Sequence, residues 1–264
     1  MRRLAVLGTP IAHSRSPAIH NAAFAALGME GEWSYEAIEV QPDELEERLR
    51  AMPAEGFVGA NVTVPHKVTA LLLSDRRSEV AREIGAANTL SFVDGEVRAD
   101  NTDAEGLMEA LPGRPAGRRA LVLGAGGAAR AVVWGLTRAG ADVAVWNRTP
   151  ERAASLCAEL GGRVEAEPAA GEYELVVNST SVGMGGEDPF ESLPLSRDWF
   201  GRSQTVVDMV YGEQQSRLLQ AAAEAGADVV DGLEVLVCQG AASFRLWTGI
   251  EPPLDVMREA ARAA

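Results

Sequence analysis

Residues 119–130 read Arg-Ala-Leu-Val-Leu-Gly-Ala-Gly-Gly-Ala-Ala-Arg, an apolar run that breaks into a glycine-rich turn and resumes as an apolar helix former. No other stretch constrains the fold as tightly. A short buried strand, a turn open only to small residues and a helix with a free N-terminus form the unit on which dinucleotides bind. Gly124 permits the tight turn, Gly126 lets the backbone approach a pyrophosphate, and Ala129 takes the third small position where helix meets sheet. Phosphate oxygens then face unpaired N–H groups at the helix N-terminus. A merely structural turn is the alternative.

The context around this turn repeats its pattern. Strands are expected at 119–123, 142–146, 174–178, 205–210 and 228–230, with helices at 127–139, 150–160 and 214–225. Such alternation implies a doubly wound parallel sheet. The first half is also α/β: strands at 4–7, 33–40 and 57–64 alternate with helices at about 17–27, 43–52, 66–73 and 78–84. Ser16-Pro17 is expected to supply an N-cap and first-turn proline, and Ser78 a second cap. Asp94-Gly95 turns a hairpin within 89–98. A helix from Asp103 leads into the breaker-rich Pro112-Gly113-Arg114-Pro115-Ala116-Gly117, so the boundary lies nearby. From about Leu233 the chain is helical to Trp247, and Pro252-Pro253 opens a last helix. The expected fold is α/β in two domains, residues 1–103 plus 237–264 and residues 104–236, with the C-terminal helices returning to the first.

Composition narrows the partners. Of 264 residues, 24 are Lys or Arg and 38 are Asp or Glu, and a net charge of −14 argues against nucleic acid and anionic membranes. No run approaches 18 apolar residues, and the start reaches Gly8 and Pro10 too soon for a signal peptide, so a cytoplasmic protein is expected. Cys157 and Cys238 lack a paired motif, and His13, His20 and His66 lack close ligand spacing, so no metal is expected.

The second strand of the nucleotide unit ends where an NAD-binding chain usually presents an acid to the ribose. Here it reads Asn147-Arg148-Thr149-Pro150-Glu151-Arg152. Arg148 and Arg152 can bracket a 2′-phosphate, with Thr149 as hydroxyl donor and helix N-cap, so NADP is favoured over NAD.

The chain's single lysine is Lys67, among 24 basic residues. Arginine stays protonated, whereas a lysine can be shifted to transfer a proton. Asn61-Val62-Thr63-Val64-Pro65-His66-Lys67 sets an amide, a hydroxyl and that amine at a strand-to-helix transition, and Asn101-Thr102-Asp103 sets a carboxylate at a helix start. A lysine and an aspartate facing a hydroxylated substrate make a proton-transfer pair. Spacing alone does not pair them, and a loop lysine with a capping aspartate is the bland reading.

These segments, with Ser14-Arg15-Ser16-Pro17, Gly85-Ala86-Ala87-Asn88-Thr89, Asn178-Ser179-Thr180 and Gln239-Gly240-Ala241, resemble the shikimate dehydrogenases in order along essentially the whole chain. The resemblance implies a substrate-binding domain followed by an NADP-binding Rossmann domain, and NADP-linked interconversion of 3-dehydroshikimate and shikimate. It implies that Lys67 and Asp103 are the catalytic pair, and that Ser14, Ser16, Asn61, Thr63, Asn88, Tyr211 and Gln239 hold the substrate. It assigns Gly124, Ala125, Gly126, Gly127, Ala128, Asn147, Arg148, Thr149, Arg152, Thr180, Met209 and Gly232 to the cofactor; Glu79, sometimes given a cofactor contact, reads here as a helix start. A homodimer is the family expectation, with a monomer left open. Domain closure about hinges near Asp103 and Leu233 is a further expectation. The chain departs from the pattern at Gly212-Glu213-Gln214, where a proline is common, and at Asp100, which brings a negative charge near Asp103. The competing expectations are a quinate/shikimate dehydrogenase with relaxed cofactor use and a non-catalytic ligand sensor, which needs no proton-transfer pair.

Overall fold

In a computed structural model describing residues 1–169, 171–212 and 214–264, the apolar run after Met1 is the strand from which the first sheet grows. In chain order stand β1 (Arg2–Gly8), α1 (Ser16–Ala26), β2 (Trp33–Glu39), α2 (Leu45–Ala51), β3 (Phe57–Val62), α3 (Lys67–Leu73), β4 (Arg76–Arg77), α4 (Glu79–Ile84), β5 (Thr89–Val93), β6 (Glu96–Asp100) and α5 (Asp103–Ala110). The second sheet is built from β7 (Arg119–Leu123), α6 (Gly127–Arg138), β8 (Asp142–Trp146), α7 (Pro150–Leu160), β9 (Arg163–Val164), β10 (Leu175–Asn178), α8 (Pro189–Ser192), β11 (Thr205–Asp208), α9 (Arg217–Glu224) and β12 (Asp228–Asp231). Two helices, α10 (Gly232–Thr248) and α11 (Leu254–Ala263), complete the chain. It divides into two units, Met1–Gly106 with Leu236–Ala264, and Leu107–Val235.

In the first unit the sheet order is β2-β1-β3-β5-β6-β4. β1 runs parallel to β2 and β3, while β5 is antiparallel to both β3 and β6. The β5–β6 turn places Asp94 and Gly95 at φ 53° and 79°, the left-handed pair that a two-residue hairpin requires. Alternation sends Ala5 and Leu7 of β1 into one core with Leu49, Phe57 and Leu90.

In the second unit every strand pair is parallel and the order is β12-β11-β10-β7-β8-β9. Counted from β7, this is the 3-2-1-4-5-6 order of a Rossmann sheet, with its switch point between β7 and β10. Both faces are covered, which is why β7 is apolar throughout its interior: Ala120 and Val122 pack with Val133 and Leu136, and Leu121 and Leu123 with Phe200 and Leu219.

Several element ends differ from expectation for local reasons. Ser16 is the first residue of α1 and not its cap, and its N–H meets Ser14 Oγ at 3.4 Å. Thr149 stands at the N-cap of α7, but its hydroxyl makes no capping bond. β11 stops at Asp208 because that carboxylate accepts from the Val210 N–H at 3.1 Å, closing an Asx-turn. Ser216 then starts α9 by accepting from Leu219 N. The two-residue strands β4 and β9 are exposed sheet edges too short to show a period, and α8 is a single turn started by Asp188. Among the described residues no helix is long and apolar enough to cross a membrane.

Candidate active site

Sheet register assembles the acid–base cluster. Asn61 at the end of β3 lies opposite Thr89, the first residue of β5, and Thr89 lies opposite Asp100, the last of β6. The segments leaving β3 and β6 therefore emerge on one side, each entering a helix whose first residue is Lys67 or Asp103. Across 36 residues of sequence, Lys67 Nζ comes within 2.6 Å of Asp103 Oδ2, with side chains only 12% and 7% exposed. A pair so far out of water is retained only where further bonds satisfy its remaining groups. Asp103 Oδ1 accepts from Asn88 Nδ2 at 2.9 Å, and the Asp103 N–H donates to Asn101 Oδ1 at 3.0 Å. Asn101 is held in turn by donating to Ala86 O.

Asn88 is the junction. Its amide also donates to Gln239 Oε1 at 3.0 Å, so α10 delivers Gln239 to the same cluster, and its carbonyl accepts from the Thr102 N–H at 2.8 Å. Lys67, Asp103, Asn88 and Gln239 thus stand together. Asn61, expected as a ligand-facing amide, has both ends engaged inside the fold: Oδ1 accepts from Tyr35 OH at 2.7 Å and Nδ2 donates toward Asn88 O, Thr89 Oγ1 and Ser243 Oγ. These bonds tie β3 to β5 and to α10. The fully buried Ser243 links Thr89 and Thr102 as well, within hydrogen-bond reach of both hydroxyls. Neither Tyr35 nor Ser243 is distinguishable in sequence from an ordinary core residue; only the network gives them a role.

Ser14 and Thr63 are half-buried and Ser16 is buried, and among the described residues no side-chain hydrogen bond joins the three to that cluster. Thr63 crosses Gly8 so closely that a Cβ there would lie 2.5 Å from Thr63 Cγ2. Tyr211 belongs to the second unit, half-buried after β11. Of the unusual Gly212-Glu213-Gln214, Glu213 lies outside the described residues. The Asp100 carboxylate is occupied by Ser78 Oγ at 2.9 Å and the Asn101 N–H at 2.7 Å, so it steadies the turn leading to Asp103. Glu79 is simply the exposed first residue of α4, where an acid suits the helix dipole.

The second unit carries the glycine turn. Gly124 has φ +114° and a Cβ there would lie 2.9 Å from Ser179 Oγ, so only glycine fits. Gly126, the N-cap of α6, meets nothing within 4 Å of such a Cβ, so the backbone is open to an approaching group beside Gly127 and Ala128 in the first turn, while Ala125 is half-buried. Ala129 is fully buried against the sheet. Asn147 Nδ2 donates to Thr149 O at 2.9 Å, bracing the turn after β8. Arg148 and Arg152 are exposed, and neither meets a carboxylate among the described residues. An open helix N-terminus beside two uncommitted guanidiniums fits a dinucleotide bearing an extra phosphate. Thr180 and Met209 are half-buried and Gly232 is buried, each at a strand's C-terminal end.

Two buried titratable groups stand apart from these assignments. Burial pushes the Asp208 carboxyl above its ordinary range, against the opposing pull of bonds from Ser216, Val210 and Asn178. Burial draws His20 down to about 3, and among the described residues its Nδ1 finds no partner while the ring stacks on Tyr35 at 4.3 Å. Among the described residues no group of three or more His, Cys, Asp or Glu is arranged to hold a metal ion.

Comparison with known proteins identifies the family. The family described as "Shikimate dehydrogenase substrate binding domain" matches residues 6–90, "Shikimate / quinate 5-dehydrogenase" matches 107–182, and "Shikimate 5'-dehydrogenase C-terminal domain" matches 232–262. A shikimate dehydrogenase (NADP(+)) from Thermus thermophilus is 47% identical over 100% of this chain and 99% of its own. Its counterpart from Methanocella arvoryzae is 44% identical over 98% and 97%. A crystal structure of shikimate 5-dehydrogenase from Thermus thermophilus in complex with NADP(H) and shikimate superposes with a TM-score of 0.91, at 46% identity and 100% and 99% coverage. With its fold, its nucleotide turn and relatives of this identity along its whole length, the chain belongs to the shikimate dehydrogenase family.

Proposed function

We propose that this protein catalyses the reversible, NADP-linked reduction of 3-dehydroshikimate to shikimate. The observation that carries the reading is the buried 2.6 Å contact between Lys67 Nζ and Asp103 Oδ2, supported by Asn88. A ligand-binding protein needs affinity but gains nothing from a desolvated amine–carboxylate pair with its geometry so tightly held. Hydroxyls and amides such as Ser14, Ser16, Asn61, Thr63, Asn88, Tyr211 and Gln239 suit a small polyol, and Lys67 suits its carboxylate in an acidic protein.

NADPH supplies the hydride when bound. Gly124 to Ala128 cradle its pyrophosphate, Arg148 and Arg152 take its 2′-phosphate beside Asn147 and Thr149, and Thr180, Met209 and Gly232 line the remaining contact. As the substrate carbonyl becomes an alcohol, its oxygen takes a proton from the Lys67–Asp103 pair; in reverse the pair removes that proton. Asn88 holds the Asp103 carboxylate still while charge shifts within the pair, which keeps reorganisation small.

The cytoplasm is the proposed site of action, supported by a cysteine count of two, Cys157 and Cys238, far apart in sequence and without a disulfide framework. A homodimer is the proposed assembly, to be checked by light scattering. The activity itself is tested by following reduced nicotinamide absorbance with shikimate or quinate and NADP or NAD. Turnover confined to shikimate with NADP supports the reading; comparable turnover with quinate or NAD replaces it by a broader dehydrogenase, and silence in all four by a non-catalytic homologue.

A further inference from the structure

Asp208 ends β11 as a carboxylate only 1% exposed, between Val206 and Val207, which are fully buried, and a turn. An apolar residue would be the ordinary choice there, because burying an ionised group is costly unless donors surround it. Donors do surround it. Its Oδ1 accepts from Asn178 Nδ2 at 2.9 Å and from the Val210 N–H at 3.1 Å, and the nearby Ser216 hydroxyl favours the charged carboxylate.

Asn178, directly opposite on β10, is fully buried and uses its other groups just as completely. Its Oδ1 accepts from the Thr180 N–H at 3.1 Å and the Thr180 hydroxyl at 2.7 Å, and its backbone oxygen accepts from the Met209 N–H at 3.0 Å. Gly232 presses on the same stretch from another side: a Cβ there would lie 2.6 Å from Met209 O and 3.0 Å from Asp208 O. The backbones of Thr180, Met209 and Gly232 are therefore set around one buried pair.

We infer that Asp208 is a positioning residue for the cofactor: through Asn178 it sets the Thr180 turn, and through the Val210 N–H it sets the turn that carries Met209 and Tyr211. The inference rests on the NADP reading above. Its demand is for an acceptor and not for a charge, because the Asn178 and Val210 bonds both end on Oδ1. Asparagine at 208 keeps that oxygen and turns its amide to Ser216, whose hydroxyl accepts as well as donates. Leucine keeps much of the volume and removes the acceptor, leaving the Val210 N–H and one N–H of the Asn178 amide without their partner, while the amide's other bond, to Val182 O at 3.3 Å, remains.

The test is NADPH affinity of the full chain, read by fluorescence titration without substrate, with a melting curve for each variant. Asp208→Asn is expected to keep the Kd within about threefold, and Asp208→Leu to weaken it about tenfold or more, as stranded buried donors typically do. Asn178→Ala is expected to give a similar loss and, should Asp208→Leu not fold, carries the test alone. In folded protein the double variant is expected to be no worse than the weaker single one, since groups acting as one unit are not additive. Wild-type affinity in folded Asp208→Leu or Asn178→Ala overturns the inference, and so does equal loss in Asp208→Asn and Asp208→Leu. A wild-type chain that binds no NADPH overturns the cofactor reading instead, and shows itself before any variant is made.

Discussion

Gly106 of α5 and Gln239 of α10 meet so closely that a Cβ on the glycine would lie 2.5 Å from the Gln239 nitrogen and 2.7 Å from its Cα. Backbone, and not a flexible side-chain tip, stands in the way. The missing Cβ is therefore what lets α10 bring Gln239 to Asn88, 3.0 Å away. Helix propensity alone favours alanine over glycine by about 1 kcal/mol, but overpacking a tight contact costs about 1–3 kcal/mol, so the clash wins. Gly106→Ala is expected to lower the melting temperature and raise the KM for shikimate. A variant more stable than wild type, with KM unchanged, would show that the helices separate freely.

For Lys67 the expected loss is in turnover. Lys67→Ala should lower kcat by roughly 10²–10⁴, the usual worth of acid–base catalysis, with a smaller effect on substrate affinity. Lys67→Arg should fail almost as badly, because a guanidinium keeps its proton. Steady-state kinetics decide the point: near-normal turnover with arginine would mean that charge alone suffices.

Cofactor choice is expected to hang on Arg148. Removing a charge-assisted bond of about 1.5–3 kcal/mol predicts that Arg148→Ala weakens NADP by roughly 10- to 100-fold. NAD, which lacks the 2′-phosphate, should be affected less than about twofold on the same basis. Equal losses for the two cofactors in parallel titrations would place this guanidinium away from the phosphate.

Acid sensitivity should trace in part to His20. Burial lowers its pKa from 6.5 to about 3, so between those values the unfolded chain takes up a proton that the folded chain refuses. Stability is therefore complete above about 6.5 and falls as pH drops toward 3, by up to about 1.4 kcal/mol per pH unit. Glu174, drawn down to about 2 chiefly by its bond from Arg119, adds to the loss only below the ordinary carboxylate range of 4.5. His20→Phe keeps a flat ring against Tyr35 and forfeits no bond at Nδ1, which meets no partner among the described residues. Denaturant melts at pH 7 and pH 5 should show a flatter slope in this variant; the same slope as wild type would assign the acid sensitivity elsewhere.

The nucleotide turn was legible because its logic is local: Gly124, Gly126 and Ala129 answer to one turn and one helix start, and the parallel sheet around them follows from the alternation of its elements. Short elements were not, since β4 and β9 are two-residue exposed edges defined by pairing with β6 and β8. Asn61 illustrates the same limit at a site. Its residue type marks it as polar and near the chemistry, but whether an amide faces a ligand or a neighbouring strand depends on partners such as Tyr35 and Ser243, distant in sequence.

The α/β class, the Rossmann turn, arginines suited to a 2′-phosphate and the single lysine could be read from residue type and near-neighbour spacing alone. Only the tertiary structure decided that Lys67 meets Asp103, through the β3–β5–β6 register, and that Asn88 and Gln239 brace the pair. It alone also revealed the buried Asn178–Asp208 contact. Hydrogen bonds between residues far apart along the chain leave no period or motif behind; they exist only once strand pairing and helix packing have fixed the distances.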